Sequence, residues 1–164
     1  LDPRNAALGA DAIADTLAAA DPAQSALYRA NAERLKTDLA QLEREIHAAL
    51  DPVRGRAFVV FHDGYGHFEH RFDMPAAGAV ALSDAARPGP ARIAQIQTML
   101  RDAGAACVFA EPQFPERLLH LVTEGSGARI GMLDPLGAAA PLGPQLYPAL
   151  MRRIAASLVA CLTP

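Results

Sequence analysis

The stretch AFVVFHDGYGHFEH, residues 57–70, decides the fold of this chain of 164 residues. It opens with an apolar run, Ala57 to Phe61, that no polar residue interrupts, as expected for a β-strand buried on both faces of a parallel sheet. The run leads directly into His62 and Asp63, and glycines and further histidines follow. The stretch therefore predicts a buried strand whose carboxyl end carries polar side chains able to do chemistry.

Downstream of this strand, short apolar runs alternate with helical patterns. A weaker strand is predicted from Pro75 to Leu82, and two clear strands are predicted at CVFA (107–110) and ARIGML (128–133). Such alternation indicates parallel pairing with right-handed crossovers, so we predict an α/β fold with a small parallel sheet of about four strands flanked by helices. The predicted helices are a short one capped by Asp63 that includes Tyr65, Phe68 and Glu69, one from about Pro90 to Ala103 with Gly104 past its end, one in PERLLHLVTEG (115–125), and one from Gln145 to about Leu162.

Two helices are predicted upstream of the sheet. The first covers residues 5–20, and the second runs from Pro22 to about Leu50. The second has apolar residues at alternating spacings of four and three, which predicts a long amphipathic helix. It is either a surface helix packed on a sheet or a strut that joins two lobes, and the residues alone leave both readings open. Its apolar positions are Tyr28, Ala32, Leu35, Leu39, Leu42, Ile46 and Ala49.

Composition bounds the class of protein. A hydrophobic content of 51% is enough for one sizeable core, and 18 acidic against 15 basic residues leave no basic stripe for nucleic acid. No apolar run approaches the roughly 20 residues of a membrane-spanning helix, so we expect a soluble chain from which any export signal is missing. The chain starts without Met and enters a helical pattern almost at once, which predicts a trimmed part of a longer protein.

Polar residues follow three of the predicted strands. In open parallel sheets, ligands collect beyond the carboxyl ends of the strands, where this sequence places His62, Glu111 and Asp134. If the strands are adjacent, an imidazole and one or two carboxylates meet there, which favours a metal site. The alternative is a hydrogen-bonded structural ring with carboxylates that cap turns or helices. His67 and His70, three positions apart, could bind a metal weakly on one helix face.

Signatures of common enzyme sites are absent from the sequence. There is no GxSxG, HExxH or GxxxxGK, and GYG at residues 64–66 lacks the third glycine of a dinucleotide loop. None of the serines, Ser83 among them, has the setting of a nucleophile. We therefore predict that the chain is not an enzyme. The enzymatic alternative is a hydrolase whose metal is held by His62, Asp134 and Glu111.

The two cysteines, Cys107 and Cys161, lie too far apart for a CxxC redox or zinc motif. They are either two buried thiols or one long-range disulfide. A disulfide over so long a loop would stabilise the fold by roughly 4 kcal/mol and would place the protein outside the cytosol.

Three motifs carry a resemblance to a known family. FVVFHDGYGHFEHRF, ACVFAEPQF and RIGMLDPLG, in this order, resemble the zinc-specific periplasmic solute-binding proteins of metal ABC importers, the ZnuA-type receptors, and the opening LDPRNA resembles their WLDP segment. The family's fold has two α/β lobes joined by a long rigid helix, with zinc between the lobes. The resemblance implies that residues 1–21 are a remnant helix of the N-terminal lobe, 22–50 the linking helix and 51–164 the C-terminal metal-binding lobe.

The resemblance also implies roles for individual residues. His62 falls on the zinc-binding histidine of the C-terminal lobe, and Asp134 falls on an aspartate that binds manganese or iron directly in relatives and lies close to the metal in zinc receptors. Those relatives usually carry a glutamate where this chain has His62, so the histidine favours zinc. Cys107 and Cys161 match a pair that forms a disulfide in many zinc receptors.

The implied function is high-affinity capture of Zn²⁺ in the periplasm and its delivery to the membrane permease of an ABC importer. Apart from the helix at residues 1–21, nothing in the chain matches the family's N-terminal lobe, and the two histidine ligands of that lobe are absent, so this chain should bind zinc weakly. Apolar surface on residues 5–50 could pair with a second copy to form a homodimer. The alternatives are a manganese or iron receptor of the same family and a metal-free periplasmic interaction module.

Overall fold

A computed structural model describes residues 1–81, 89–113, 117–138 and 140–164 of the chain. Within it the chain divides into two compact units, Leu1–Ala48 and Ala49–Pro164. The second unit confirms the predicted α/β fold, a four-stranded parallel sheet flanked by helices.

The first unit is a pair of antiparallel helices. Helix α1 spans Pro3–Ala20 and begins where Asp2 caps the backbone N–H of Arg4 at 2.8 Å. After a short 3₁₀ turn at Pro22–Gln24, helix α2 runs for 26 residues, Ser25–Leu50, and its last two residues belong to the second unit. The helices are joined by partly exposed ion pairs, Arg4 with Glu43 at 2.9 Å and Asp11 with Lys36 at 3.1 Å.

The sheet of the second unit has the strand order β2-β1-β3-β4. All its pairings are parallel, with Val59 of β1 opposite Gly78 of β2 and Val108 of β3, and Val108 opposite Ile130 of β4. Four-residue runs in β1 and β3 are buried throughout, as the uninterrupted apolar sequence predicted. The strands are β1 (Phe58–His62), β2 (Gly78–Ala81), β3 (Cys107–Ala110) and β4 (Arg129–Met132).

Helices cover both faces of this sheet. Helices α4 and α5 pack over one face, where they bury alternate residues of the strands, and α6 contacts β4 from the other face. Gly131 of β4 makes this second contact possible, because a side chain there would collide with the ring of Phe109 and the β-carbon of Cys161. The helices are α3 (Gly66–Phe72), α4 (Pro90–Asp102), α5 (Arg117–Thr123) and α6 (Leu146–Leu162).

A disulfide joins Cys107 at the start of β3 to Cys161 near the end of α6. Of the two states that the sequence left open, the bonded one is therefore found, as the family resemblance implied. The guanidinium of Arg129 donates to the carbonyl oxygens of Cys161 and Thr163, which satisfies acceptors at the carboxyl end of α6. Sheet and helix are thus held together covalently and by hydrogen bonds.

Most predicted elements are confirmed with shifts of one to three residues, but one local prediction is wrong. Asp63 does not cap α3: the helix begins after Tyr65, and no side chain caps it. The backbone instead turns back at once, since the N–H of Gly64 donates to the carbonyl of His62 at 2.9 Å, which leaves Asp63 exposed. Gly104 follows α4 with a φ of 57°, as a glycine after a helix end should. Some residues of the predicted elements lie outside the described residues. They are Leu82 and Ser83, together with Pro115 and Glu116 of the helix predicted over residues 115–125.

Among the described residues, no helix combines the length and the apolar character needed to cross a bilayer.

Candidate metal centre

The centre of the sheet is where its connections reverse direction. From β1 the chain moves to β2 on one side, and it then crosses back to place β3 and β4 on the other side. The crevice beyond the carboxyl ends of β1 and β3 is therefore the topological switch point, where ligands of open α/β sheets bind. His62 ends β1 and Glu111 directly follows β3, so both side chains stand at this crevice.

His62 and Glu111 are in direct contact. The ring nitrogen Nδ1 of His62 lies 2.5 Å from Oε1 of Glu111. The Glu111 side chain is only 2% exposed, whereas that of His62 is 24% exposed. Because a carboxylate can only accept, the Nδ1–H of a neutral His62 ring donates, and the lone pair of such a ring is then on Nε2. This is the arrangement in which metal-binding histidines are commonly held.

Two neighbours in the following turn hold the His62 ring in place. The backbone of Gly64 lies against its Nε2 edge, so that a β-carbon at this position would collide with Nε2 and fall 2.7 Å from Cε1 and 3.0 Å from Cδ2. A side chain here would displace the ring. The aromatic ring of Tyr65 packs nearby, with 5.8 Å between the two ring centroids. The ring of His62 is thus confined by backbone, aromatic ring and carboxylate.

Tyr65 is a site residue that the sequence reading missed. It is 2% exposed, and this burial raises the pKa of its hydroxyl far above the ordinary value. The negatively charged carboxylates of Glu111 and Asp134 raise the pKa further. Among the described residues, no side chain forms a hydrogen bond with this buried hydroxyl, and Glu111 acts on it through its charge. The sequence did carry a signal, because Tyr65 stands between two glycines shortly after a strand. Such a tyrosine is expected in the turn before the helix and not inside the helix.

Asp134 is half-buried and lies two residues beyond the end of β4. Its charge acts on the Tyr65 hydroxyl, which links it electrostatically to the Glu111 side of the site. Its strand is not adjacent to β1, because β3 lies between them. Within the described ranges, no three His, Cys, Asp or Glu side chains are grouped to hold one metal ion, so the hypothetical hydrolase centre of His62, Asp134 and Glu111 is not found there. His62 and Asp134 as ligands stay a prediction.

The other histidines lie away from the strand ends. His67 and His70 are exposed on α3, and His120 is exposed on α5. His47 belongs to the first unit, where its Nε2 lies 4.0 Å from Glu43. A weak surface site at His67 and His70 therefore stays a prediction.

Comparison with known proteins gives consistent matches. Residues 1–161 match the family model described as the periplasmic zinc-uptake complex component A, ZnuA. The chain is 48% identical to a high-affinity zinc uptake system protein of Brucella suis over 99% of its own length and 49% of that protein. It is 38% identical to the protein of the same description from Yersinia pestis, over 99% of this chain and 51% of that one.

A solved structure shares the fold. The laminin-binding protein of Streptococcus agalactiae, described as an adhesin with metal-transporting activity, aligns with a TM-score of 0.84 at 27% identity over 99% of this chain and 63% of that protein. The chain spans about half the length of the curated relatives that it matches.

Proposed function

The chain belongs to the family of periplasmic zinc-uptake component A proteins, ZnuA, and from this premise we propose that it serves high-affinity zinc uptake. In this proposal it is the periplasmic substrate-binding component of an ABC importer, which captures Zn²⁺ and delivers it to the membrane permease. Residues 51–164 act as the metal-binding C-terminal lobe, residues 22–50 as the linking helix, and residues 1–21 as a helix of the other lobe. The chain has no catalytic role in this scheme.

The observation that carries the proposal is the contact between His62 and Glu111 at the switch point of the sheet. A neutral imidazole is a favoured zinc ligand, with a Zn–N distance of about 2.0–2.1 Å. Nε2 of His62 would bind the ion, and Asp134 would supply a carboxylate oxygen. Zinc is the cargo here, so binding has to be reversible.

Two donors do not complete a zinc site. Zinc sites in proteins are almost always tetrahedral, with three or four protein ligands acting together. Donors outside this chain would therefore complete the high-affinity site, and the 164-residue chain alone should bind zinc weakly. The histidine donor favours zinc over manganese, the closest rival, because manganese prefers carboxylate and water oxygens.

Zinc titration of the 164-residue chain by calorimetry tests this proposal. His62→Ala should lower the affinity at least about tenfold, since even changes around a ligand typically cost 10–100-fold. His120→Ala is the matched control, because it removes an exposed histidine of α5 and should leave the titration unchanged. Equal zinc affinity in wild type and His62→Ala would refute the proposed role. Manganese added in competition should not displace the zinc at equal concentration.

The predicted homodimer remains a separate proposal. Apolar side chains of α1 and α2 are between 42% and 68% exposed, which supports contact with a second copy. Stable interfaces bury about 800 Å² per partner, and a patch of a few hundred Å² supports at most a weak pair. Sedimentation across a range of protein concentrations would detect it. The side chains are Leu8, Ile13, Leu17, Leu27 and Leu35.

A further inference from the structure

We propose that Glu111 is a positioning residue, which fixes the proton of His62 on Nδ1 and so keeps Nε2 available to a metal. The inference rests on the proposed role of His62 in zinc binding and extends it to a residue that does not touch the ion. Glu111 acts through the imidazole, against which the ring of Tyr65 packs.

Burial is the first argument for a dedicated role of Glu111. The four residues of β3 before it are all buried and uncharged, and an apolar residue in the next position would continue the same core. A carboxylate that is 2% exposed costs several kcal/mol unless it is paired and hydrogen-bonded. Folding alone gives no reason for an acid here. The hydrogen bond to the ring of His62 gives such a reason.

Geometry is the second argument. Oε1 of Glu111 contacts Nδ1 of His62, and Nε2 lies on the other side of the imidazole. A metal bound by Nε2 would therefore be remote from this oxygen, so Glu111 is not placed to bind the same ion as a ligand. What it can do is select the tautomer, because only an N–H makes a hydrogen bond to a carboxylate. Without this acceptor, the neutral ring could carry its proton on Nε2, where it would block the metal.

Tyr65 supplies the third argument. Its ring packs 5.8 Å from that of His62, and its buried hydroxyl approaches the Glu111 carboxylate. A buried tyrosine hydroxyl usually has a hydrogen-bond partner, and the Glu111 carboxylate is the acceptor that lies near it. Glu111 is thus the acceptor for the imidazole N–H of His62, and the phenol of Tyr65 lies beside this pair.

The test is a long-range ¹H–¹⁵N correlation spectrum of the metal-free, ¹⁵N-labelled chain at mildly alkaline pH. His62 is assigned by its absence in His62→Ala, and the spectrum reports which ring nitrogen carries the proton. We expect wild-type His62 to be protonated on Nδ1. Glu111→Leu should abolish this preference, and Glu111→Gln should weaken it, because its amide can either accept from Nδ1–H or donate to a bare Nδ1. Glu69→Gln is the matched control, since Glu69 bonds to the backbone of Ala76 and should leave His62 unchanged.

Two results would overturn the proposal: wild-type His62 protonated on Nε2, or an unchanged Nδ1–H tautomer in a folded Glu111→Leu protein. If Glu111→Leu does not fold, the wild-type spectrum decides, and an Nε2–H ring there refutes the role. Zinc affinity of Glu111→Leu should also fall 10–100-fold. The tautomer is measured without metal. A failure of the proposed role of Glu111 can therefore be distinguished from a failure of the proposed zinc binding.

Discussion

Glu69 shows at the scale of one residue how the site's surroundings respond to pH. This side chain of α3 is half-buried, and its Oε2 accepts a hydrogen bond from the Ala76 N–H at 3.0 Å. Burial raises its pKa above the ordinary 4.5, the Ala76 bond opposes the shift, and the charge of Asp63 adds to it. The folded protein therefore binds a proton more tightly than the unfolded chain does, so this group lowers the free energy of unfolding as pH rises from 4.5 through the folded pKa.

Glu69→Gln should remove this contribution while keeping an acceptor for the Ala76 N–H. We expect the free energy of unfolding of the variant to fall less between pH 4 and pH 7 than that of wild type, as measured by urea denaturation at several pH values. Asp15→Asn, at an exposed carboxylate of α1, is the control and should reproduce the wild-type slope. Parallel pH profiles for wild type and Glu69→Gln would contradict this account of Glu69.

The individual site residues were predictable to different degrees. His62 could be chosen from sequence, because an uninterrupted apolar strand that ends in a histidine predicts a side chain at the sheet's functional edge. The partner of its Nδ1 could not be fixed, because Asp63 and Glu111 both follow strands and only the adjacency of β1 and β3 selects Glu111. Tyr65 was assigned to the helix, since the tight turn that buries it depends on a backbone bond between Gly64 and His62.

Among the elements, β3 and α6 are linked by a disulfide that should contribute substantially to stability. Its cysteines are 54 residues apart, and closing a loop of that length is worth about 4 kcal/mol in chain entropy. Replacing both cysteines with alanine should lower the free energy of unfolding by about that amount, as measured by chemical denaturation. A reductant should lower wild type to a similar level and leave the double variant unchanged. Wild type that resists unfolding equally well with and without reductant would contradict this prediction.

The positions of strands and helices along the chain could be predicted from hydrophobic periodicity, but the order of the strands in the sheet could not. The buried runs of β1 and β3 are apolar throughout, and this pattern is typical of inner strands of a parallel sheet. β4, with exposed Arg129 and Met132, is an edge strand. Alternation of strands and helices is compatible with several strand orders, however, and the order β2-β1-β3-β4 decides which strand ends meet.

In the whole molecule, an α/β unit with its own core carries a site that, in our proposal, supplies only two zinc donors. The unit of residues 49–164 has its own core, its disulfide and its switch-point crevice. It offers one imidazole held by a buried acid, and it spans about half the length of the relatives it matches. Sequence reasoning reached this division through the family resemblance, because nothing in composition or periodicity reports donors that lie outside the chain.

Anomalous diffraction at the zinc absorption edge, from crystals of the chain soaked in zinc, tests the central claim most directly. We expect a peak about 2.1 Å from Nε2 of His62, with Glu111 still bonded to Nδ1 and Asp134 facing the ion. Zinc peaks confined to the exposed histidines of α3, with none beside His62, would contradict it.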